Sequence, residues 1–203
     1  MKVALIGATG NAGARLLAEL VRRGHQVTAI VRHPENVPTL SGVMAKQGDA
    51  RDQAGLAKRL AGHDAVISSV RFADSDPRVL IGAVKAAGMR RYLVVGGAGS
   101  LEVAPGVRLV DTPAFPAAYK AEALAGCAFL DTLRKERDLD WTFLSPSALF
   151  VAGERTGRFR LGEDRLLTDE TGSSRISFED FAIAMVDELE HPVHLRRRFT
   201  VGY

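Results

Sequence analysis

The 203-residue chain has one cysteine, one tryptophan and three tyrosines, and aromatic residues make up 6% of it. A single cysteine, Cys127, excludes an internal disulfide, and its place in a helical pattern reads as a small buried hydrophobe rather than a nucleophile. No apolar run approaches the ~20 residues of a membrane-spanning helix, so no membrane partner is expected. No basic, apolar and small-residue leader precedes the first motif, which makes cytoplasmic residence the expectation. Charge of one sign is also lacking. The 27 basic and 24 acidic side chains are mixed along the chain and leave a formal +3, which does not describe a nucleic-acid surface. The densest basic run, Arg196 to Arg198, reads as a solvated junction before a short strand, Phe199 to Val201. The five histidines show no metal-ligand spacing, and His191 and His194 around Pro192 read as a helix end, so no metal is expected.

A chain of this length with 46% hydrophobic residues buries one substantial core. One domain over residues 1–203 follows, without room for a separate substrate domain. The opening MKVALIGATGNAG runs an apolar strand, Val3 to Ile6, straight into Gly7, Gly10 and Gly13 and then into an amphipathic helix carrying Leu16, Leu17, Leu20 and Val21. That order is a phosphate-binding device. Gly7 permits the tight turn, Gly10 lets backbone N–H groups approach a pyrophosphate, and Gly13 lets the helix pack on the sheet. Thr9, Asn11 and Ala12 complete the loop, whose N–H groups would face the anion with the helix dipole behind them.

Alternation continues with strands at Gln26–Val31, Val43–Gln47, Ala65–Val70, Arg91–Val95 and Trp141–Leu144, the last ended by Ser145-Pro146. Helices fall at Gln53–Leu60, Val79–Ala87 and Tyr119–Arg137, and a later one spans Ile176–Leu189, with Ser177 and Asp180 spaced as a cap. Such alternation predicts an α/β fold, a Rossmann-type doubly wound parallel sheet. Gly153–Leu167 is polar and alternating, and Arg158 to Leu161 suggests a small hairpin in a C-terminal substrate-side subregion. Two irregular stretches, about 96–117 and 148–174, follow strands five and six at the carboxyl edge and are expected to wall a substrate site.

A cofactor-binding acid for NAD would stand about twenty residues beyond the last glycine of the turn, at the end of the second strand. Arg32 stands there instead, followed by His33. A guanidinium at that point can grip a 2′-phosphate, which favours NADP(H), with NAD(H) possible because an arginine does not repel it. Asp49, with Ala50 after it, closes the third strand and either accepts from the adenine amino group or only forms a turn. Ser68, Ser69 and Val70 end the fourth strand beside the first, where small residues leave room for the ribose and nicotinamide, and Pro146 ends the sixth strand on the same edge.

The motifs GATGNAG, Gly48-Asp49 and Asp140-Trp141-Thr142-Phe143-Leu144-Ser145-Pro146 resemble the atypical short-chain dehydrogenase/reductase superfamily. Gly96-Gly97-Ala98-Gly99-Ser100, Leu109-Val110-Asp111-Thr112-Pro113, Gly153-Glu154-Arg155-Thr156-Gly157 and Arg198-Phe199-Thr200-Val201 narrow the likeness to its NADH-flavin reductase group, which is similar to biliverdin reductase B and to NmrA-type NAD(P)-binding proteins. The resemblance covers nearly the whole chain. It implies an NAD(P)H-dependent oxidoreductase, and a substrate-facing hydroxyl near the end of strand five, at Ser100.

The chain departs from the superfamily's Tyr-x-x-x-Lys pair. Tyr119 is followed by Lys120, but Ala123 holds the lysine's position, and Tyr92 has Gly96 at that offset. Alcohol–ketone interconversion by tyrosine acid/base chemistry and sugar epimerisation by that route are therefore disfavoured. Hydride transfer to a flavin, bound as substrate rather than as a tight cofactor, asks less, because a planar conjugated acceptor delocalises the charge and water supplies the proton. Phe115, Tyr119 and Phe150 could stack on such a small planar substrate or lie in the core under the loops. Arg155 could meet a flavin phosphate or hold its own turn. The alternatives are a non-catalytic NAD(P) sensor and an oxidoreductase or oxygenase acting on a polycyclic aromatic metabolite. A monomer or weak homodimer is expected.

Overall fold

β1 (Lys2–Ile6) is buried from Val3 onward, as an unbroken apolar run inside a parallel sheet must be. In the computed structural model, which describes residues 1–203, β1 pairs in parallel with β2 (Gln26–Val31) on one side and β4 (Ala65–Ser68) on the other. β3 (Val43–Gln47) extends the sheet beyond β2, and β5 (Arg91–Val95) extends it beyond β4. Next to β5 come β8 (Asp140–Pro146) and β12 (Arg197–Gly202), both parallel, with β10 (Arg160–Gly162) antiparallel at the edge. The order β3-β2-β1-β4-β5-β8-β12-β10 reverses its direction of travel between β1 and β4. That reversal opens the crevice in which α/β sheets bind ligands.

Period-two alternation along β1 divides the interior into two layers. Val3 and Leu5 face α1 (Asn11–Arg22) and α5 (Phe178–Glu190), where Leu16, Leu17 and Leu20 meet Phe181 and Met185. Ala4 and Ile6 face α2 (Gln53–Leu60), α3 (Pro77–Ala86) and α4 (Ala117–Lys135) through Leu56, Leu80 and Phe129. Each such side chain is worth about 1.5–3 kcal/mol of burial, so neither helical layer is dispensable.

Several boundaries differ from the sequence reading. α3 starts two residues early because Asp76 caps it, accepting from Arg78 N at 2.8 Å, with Pro77 in the first turn. α4 likewise starts at Ala117 and ends at Lys135, since Lys85 holds Glu136 and Asp138 at 3.2 and 2.6 Å beyond it. α5 starts at Phe178, capped by Ser177 at 3.0 Å from Asp180 N. β8 runs past Leu144 to include Ser145 and Pro146, the latter in register with Val201. The hairpin near Arg158 is absent. Arg160–Gly162 pairs with Thr200–Gly202 of the main sheet instead, because alternation marks a strand's faces but not its partner. The two irregular stretches also hold short strands: β6 (Glu102–Ala104) pairs with β7 (Val107–Arg108), and β9 (Leu149–Val151) pairs with β11 (Arg175–Ser177).

Candidate functional site

The glycine turn does three separate mechanical jobs. Gly7 has φ +84°, and a Cβ there would stand 2.1 Å from Ser69 O, so the turn backs directly onto the end of β4. Gly13 would place a Cβ 2.1 Å from Gly7 O, so α1 packs closely on the turn itself, where the spacing predicted close packing on the sheet. Gly10 differs: its φ is −73° and a Cβ would meet nothing nearer than 3.6 Å. The space above Gly10 is open. α1 begins there with no side-chain cap and no acidic residue in its first turn, while Thr9, Gly10 and Asn11 are exposed and Ala12 is buried. An uncapped helix start with free N–H groups and a positive dipole end fits a pyrophosphate.

Around this turn, Arg32 lies exposed just past β2, close enough for its charge to act on Asp49, and the neighbouring His33 reaches Glu35 at 3.2 Å. Asp49 is more engaged than the sequence suggested. Arg51 holds its carboxylate through Nη2 at 2.7 Å and Nε at 3.0 Å, and the Arg51 backbone N–H donates at 2.9 Å. The Arg51 side chain, helped by its backbone N–H, keeps the acid down at about 2. Any adenine contact by Asp49 therefore competes with Arg51. Ala50 packs on the core. Ser68 turns inward and bonds Tyr92 Oη at 2.9 Å, which corrects its place among groups free to meet a cofactor. Tyr92 is fully buried, and the same burial pushes its hydroxyl up, so it stays protonated and out of a ligand's reach. Ser69 and Val70 are half-buried beside Gly7, and Val70 packs on the core.

Beside the crevice a cavity of about 570 Å³ opens at the carboxyl ends of β5 and β8. Ser100, Phe115, Tyr119, Pro146 and Phe150 all line it, so the segments that follow β5 and β8 meet there. Phe150 reaches inward as well, edge-on to Phe178 at 4.5 Å and tilted on Phe181 at 4.7 Å. Tyr119 stands at the rim, 68% exposed. Position 123, where a lysine would complete the tyrosine pair, faces Gly99: a Cβ on Gly99 would come 2.9 Å from Ala123 Cβ. Gly99 therefore has to be glycine for the loop to lie this close to α4, and Ala123 itself faces the cavity. Cys127 also reaches the wall, and burial pushes its thiol up.

Arg155 is elsewhere. It grips the buried carboxylate of Glu19 on α1 through Nε and Nη2, both at 2.9 Å, and so ties the loop after β9 to the helix instead of meeting a ligand. Two contributors escaped the sequence reading. Phe72 follows β4, stacks on Phe143 at 6.0 Å between ring centres, and forms part of the cavity wall. Glu122 of α4 fixes it there by accepting from the backbone N–H of Phe72 and Ala73 at 2.7 and 2.9 Å. The small residue Gly126 beneath it was the available signal, since a Cβ there would press on the Phe72 ring at 3.0 Å. The two walls are joined: Glu102 N donates to Asp164 O, and Leu166 N to Glu102 O, both at 2.9 Å. No helix is long and apolar enough to cross a membrane.

A family model described as NAD(P)H-binding matches residues 7–192. Three solved structures are similar over the whole chain, each carrying a provisional description. A Burkholderia pseudomallei protein described as exported is 49% identical, covered over 100% of both chains with a TM-score of 0.91. A Bacteroides thetaiotaomicron protein described as an epimerase is 45% identical, covered over 100% of this chain and 96% of its own, at 0.95. A Streptococcus pneumoniae protein described as an NADH-flavin reductase is 38% identical over 100% and 99%, at 0.83. They agree in fold, and their descriptions diverge.

Proposed function

We propose, from the premise that the chain belongs to the NAD(P)H-binding family, that it is a reductase passing hydride from NAD(P)H to a flavin or a similar planar conjugated acceptor, NADP(H) serving ahead of NAD(H). The observation that carries the proposal is the apolar cavity. It opens at the carboxyl ends of β5 and β8, on the sheet edge that also carries the glycine turn, has Phe115 and Phe150 in its walls, and offers no tyrosine–lysine pair because position 123 is alanine.

The bound dihydronicotinamide would supply the hydride. The chain's own work is then positional. The Gly10 opening and the start of α1 receive the pyrophosphate, and Arg32, unpaired and exposed, receives the 2′-phosphate. Gly96 lets β5 pass close to β8, since a Cβ there would meet the Phe143 ring at 2.4 Å, and this keeps the end of β5 flat beside Pro146. The aromatic walls hold a planar ring against that edge and exclude water from its faces. Proximity of two oriented rings is a sufficient demand where the acceptor delocalises its own charge.

The test is NADPH oxidation with riboflavin or its mononucleotide. Tyr119→Phe should change turnover by far less than the roughly 10²–10⁴-fold that removal of a general acid costs. Phe115→Ala should raise KM through lost positioning. A thousandfold loss in Tyr119→Phe alone would make the tyrosine an acid. Tight NADPH binding without oxidation by any planar acceptor would leave the sensor in place of the reductase.

A further inference from the structure

The basic run before β12 is only partly solvated. Arg196 and Arg197 are exposed, but Arg198 turns inward and its side chain is 3% exposed, which corrects the expectation of a solvated junction. Its guanidinium forks. Nε donates to Asp164 Oδ1 at 2.8 Å and Nη2 to the same carboxylate, while Nη1 donates to Ser100 Oγ at 3.2 Å. Asp164 belongs to one wall of the cavity region and Ser100 to the other, and Ser100 lines the cavity itself.

A serine hydroxyl has one proton to give and two lone pairs to offer. At Ser100 a buried cation occupies a lone pair, and the hydroxyl's own proton meets no acceptor within the protein. The O–H is therefore left to point into the cavity as a donor, strengthened by the charge behind it. We infer that Arg198 is a positioning residue that biases Ser100 towards donating its hydrogen bond, so that the cavity favours planar ligands carrying a carbonyl or imine-type nitrogen lone pair at the edge nearest β5. Isoalloxazine and quinone rings have such an edge, and a bare aromatic hydrocarbon does not. The inference rests on the reductase reading above and deepens it. The competing role for Arg198 is purely structural, a strut from β12 to Asp164.

A double-mutant cycle separates the two roles. Riboflavin is titrated by fluorescence quenching into NADP⁺-loaded protein for the parent, Ser100→Ala, Arg198→Lys and the double variant. Melting curves and circular dichroism monitor the fold. Arg198→Lys keeps a buried cation for Asp164 but loses the fork that also reaches Ser100. Ser100→Ala should weaken riboflavin about tenfold, the effect of one charge-assisted hydrogen bond. Arg198→Lys should weaken it severalfold, and in the Ser100→Ala background it should add less than twofold. Ser100→Thr, which restores the hydroxyl, should recover most of the affinity. Riboflavin binding with losses that multiply in the double variant, or with no rescue by threonine, would reduce Arg198 to a strut and overturn this inference alone. Absence of riboflavin binding by the parent would overturn the inference together with the reductase reading.

Discussion

Gly10 and Gly13 look alike in the sequence, yet the structure assigns them opposite consequences on replacement. In Gly13→Ala the new Cβ would stand 2.1 Å from Gly7 O and 3.0 Å from Gly7 C, both backbone atoms that no rotamer change can move. The helix must shift, and overpacking of this kind costs about 1–3 kcal/mol. For a chain of this size that is a fall in Tm of about 2–12 °C. In Gly10→Ala the Cβ meets its nearest atoms at 3.6 and 3.9 Å, and φ is already −73°. Reduced freedom of the unfolded chain gains about 0.4–1 kcal/mol, and alanine's poorer fit as a helix N-cap loses about as much, so stability should stay within about 1 kcal/mol. The same methyl sits where a pyrophosphate must approach the backbone. NADPH affinity should fall at least tenfold, about 1.4 kcal/mol. Thermal melts and isothermal calorimetry on both variants read the two effects separately. A Gly10→Ala protein that melts and binds NADPH like the parent would remove the dinucleotide from this turn, and an unshifted melt in Gly13→Ala would refute the packing argument.

Arg32→Ala should erase most of any preference for NADPH over NADH, a change of about ten- to a hundredfold for one charge-assisted contact, read by calorimetry with both dinucleotides; equal affinities in the parent would dismiss the role of Arg32. Glu188 is a different case, buried at 3% side-chain exposure and accepting from Arg91 Nη2 at 3.2 Å, His194 Nδ1 at 2.8 Å and two backbone N–H groups. Glu188→Gln strands the buried Arg91 cation and should cost about 3–5 kcal/mol in chemical denaturation, and a loss under 1 kcal/mol would contradict it. Cys127 is buried, which pushes its thiol up, so it should react with an aromatic disulfide reagent at pH 8 more slowly than a free peptide thiol. Slower reaction still with riboflavin present is expected from its place in the cavity wall, and labelling at the free rate would refute the burial argument.

What the sequence made legible was whatever depends on near neighbours or on period. The glycine turn was readable because Gly7 and Gly13 answer to each other across six positions, and the parallel sheet because its strands are apolar on both faces. Asp49 could have been judged correctly, since its captor Arg51 is two residues away and the Asp-x-Arg spacing favours that pair. Arg155 could not, because Glu19 lies 136 residues earlier and no local pattern announces it. Ser68 was misjudged for a subtler reason. Its strand and its height on the sheet were right, but whether its hydroxyl meets a cofactor or Tyr92 depends on which face of β4 it occupies at the last residue.

The same division explains the cavity. Parallel strands all deliver their following loops to one edge, so the addresses of Ser100, Phe115 and Phe150 followed from strand order alone. What those side chains do at that edge depends on groups delivered by other strands. Ser100 is one hydroxyl among many until β12 brings Arg198 under it, and Gly99 is only a loop glycine until Ala123 of α4 is seen to stand 2.9 Å from where its Cβ would be. The loop after β5 is thus held tight against α4 at the position where the superfamily carries its lysine. A side chain larger than glycine at position 99 would push that loop away from Ala123, so the wall that carries Ser100 keeps its shape only while this contact stays small.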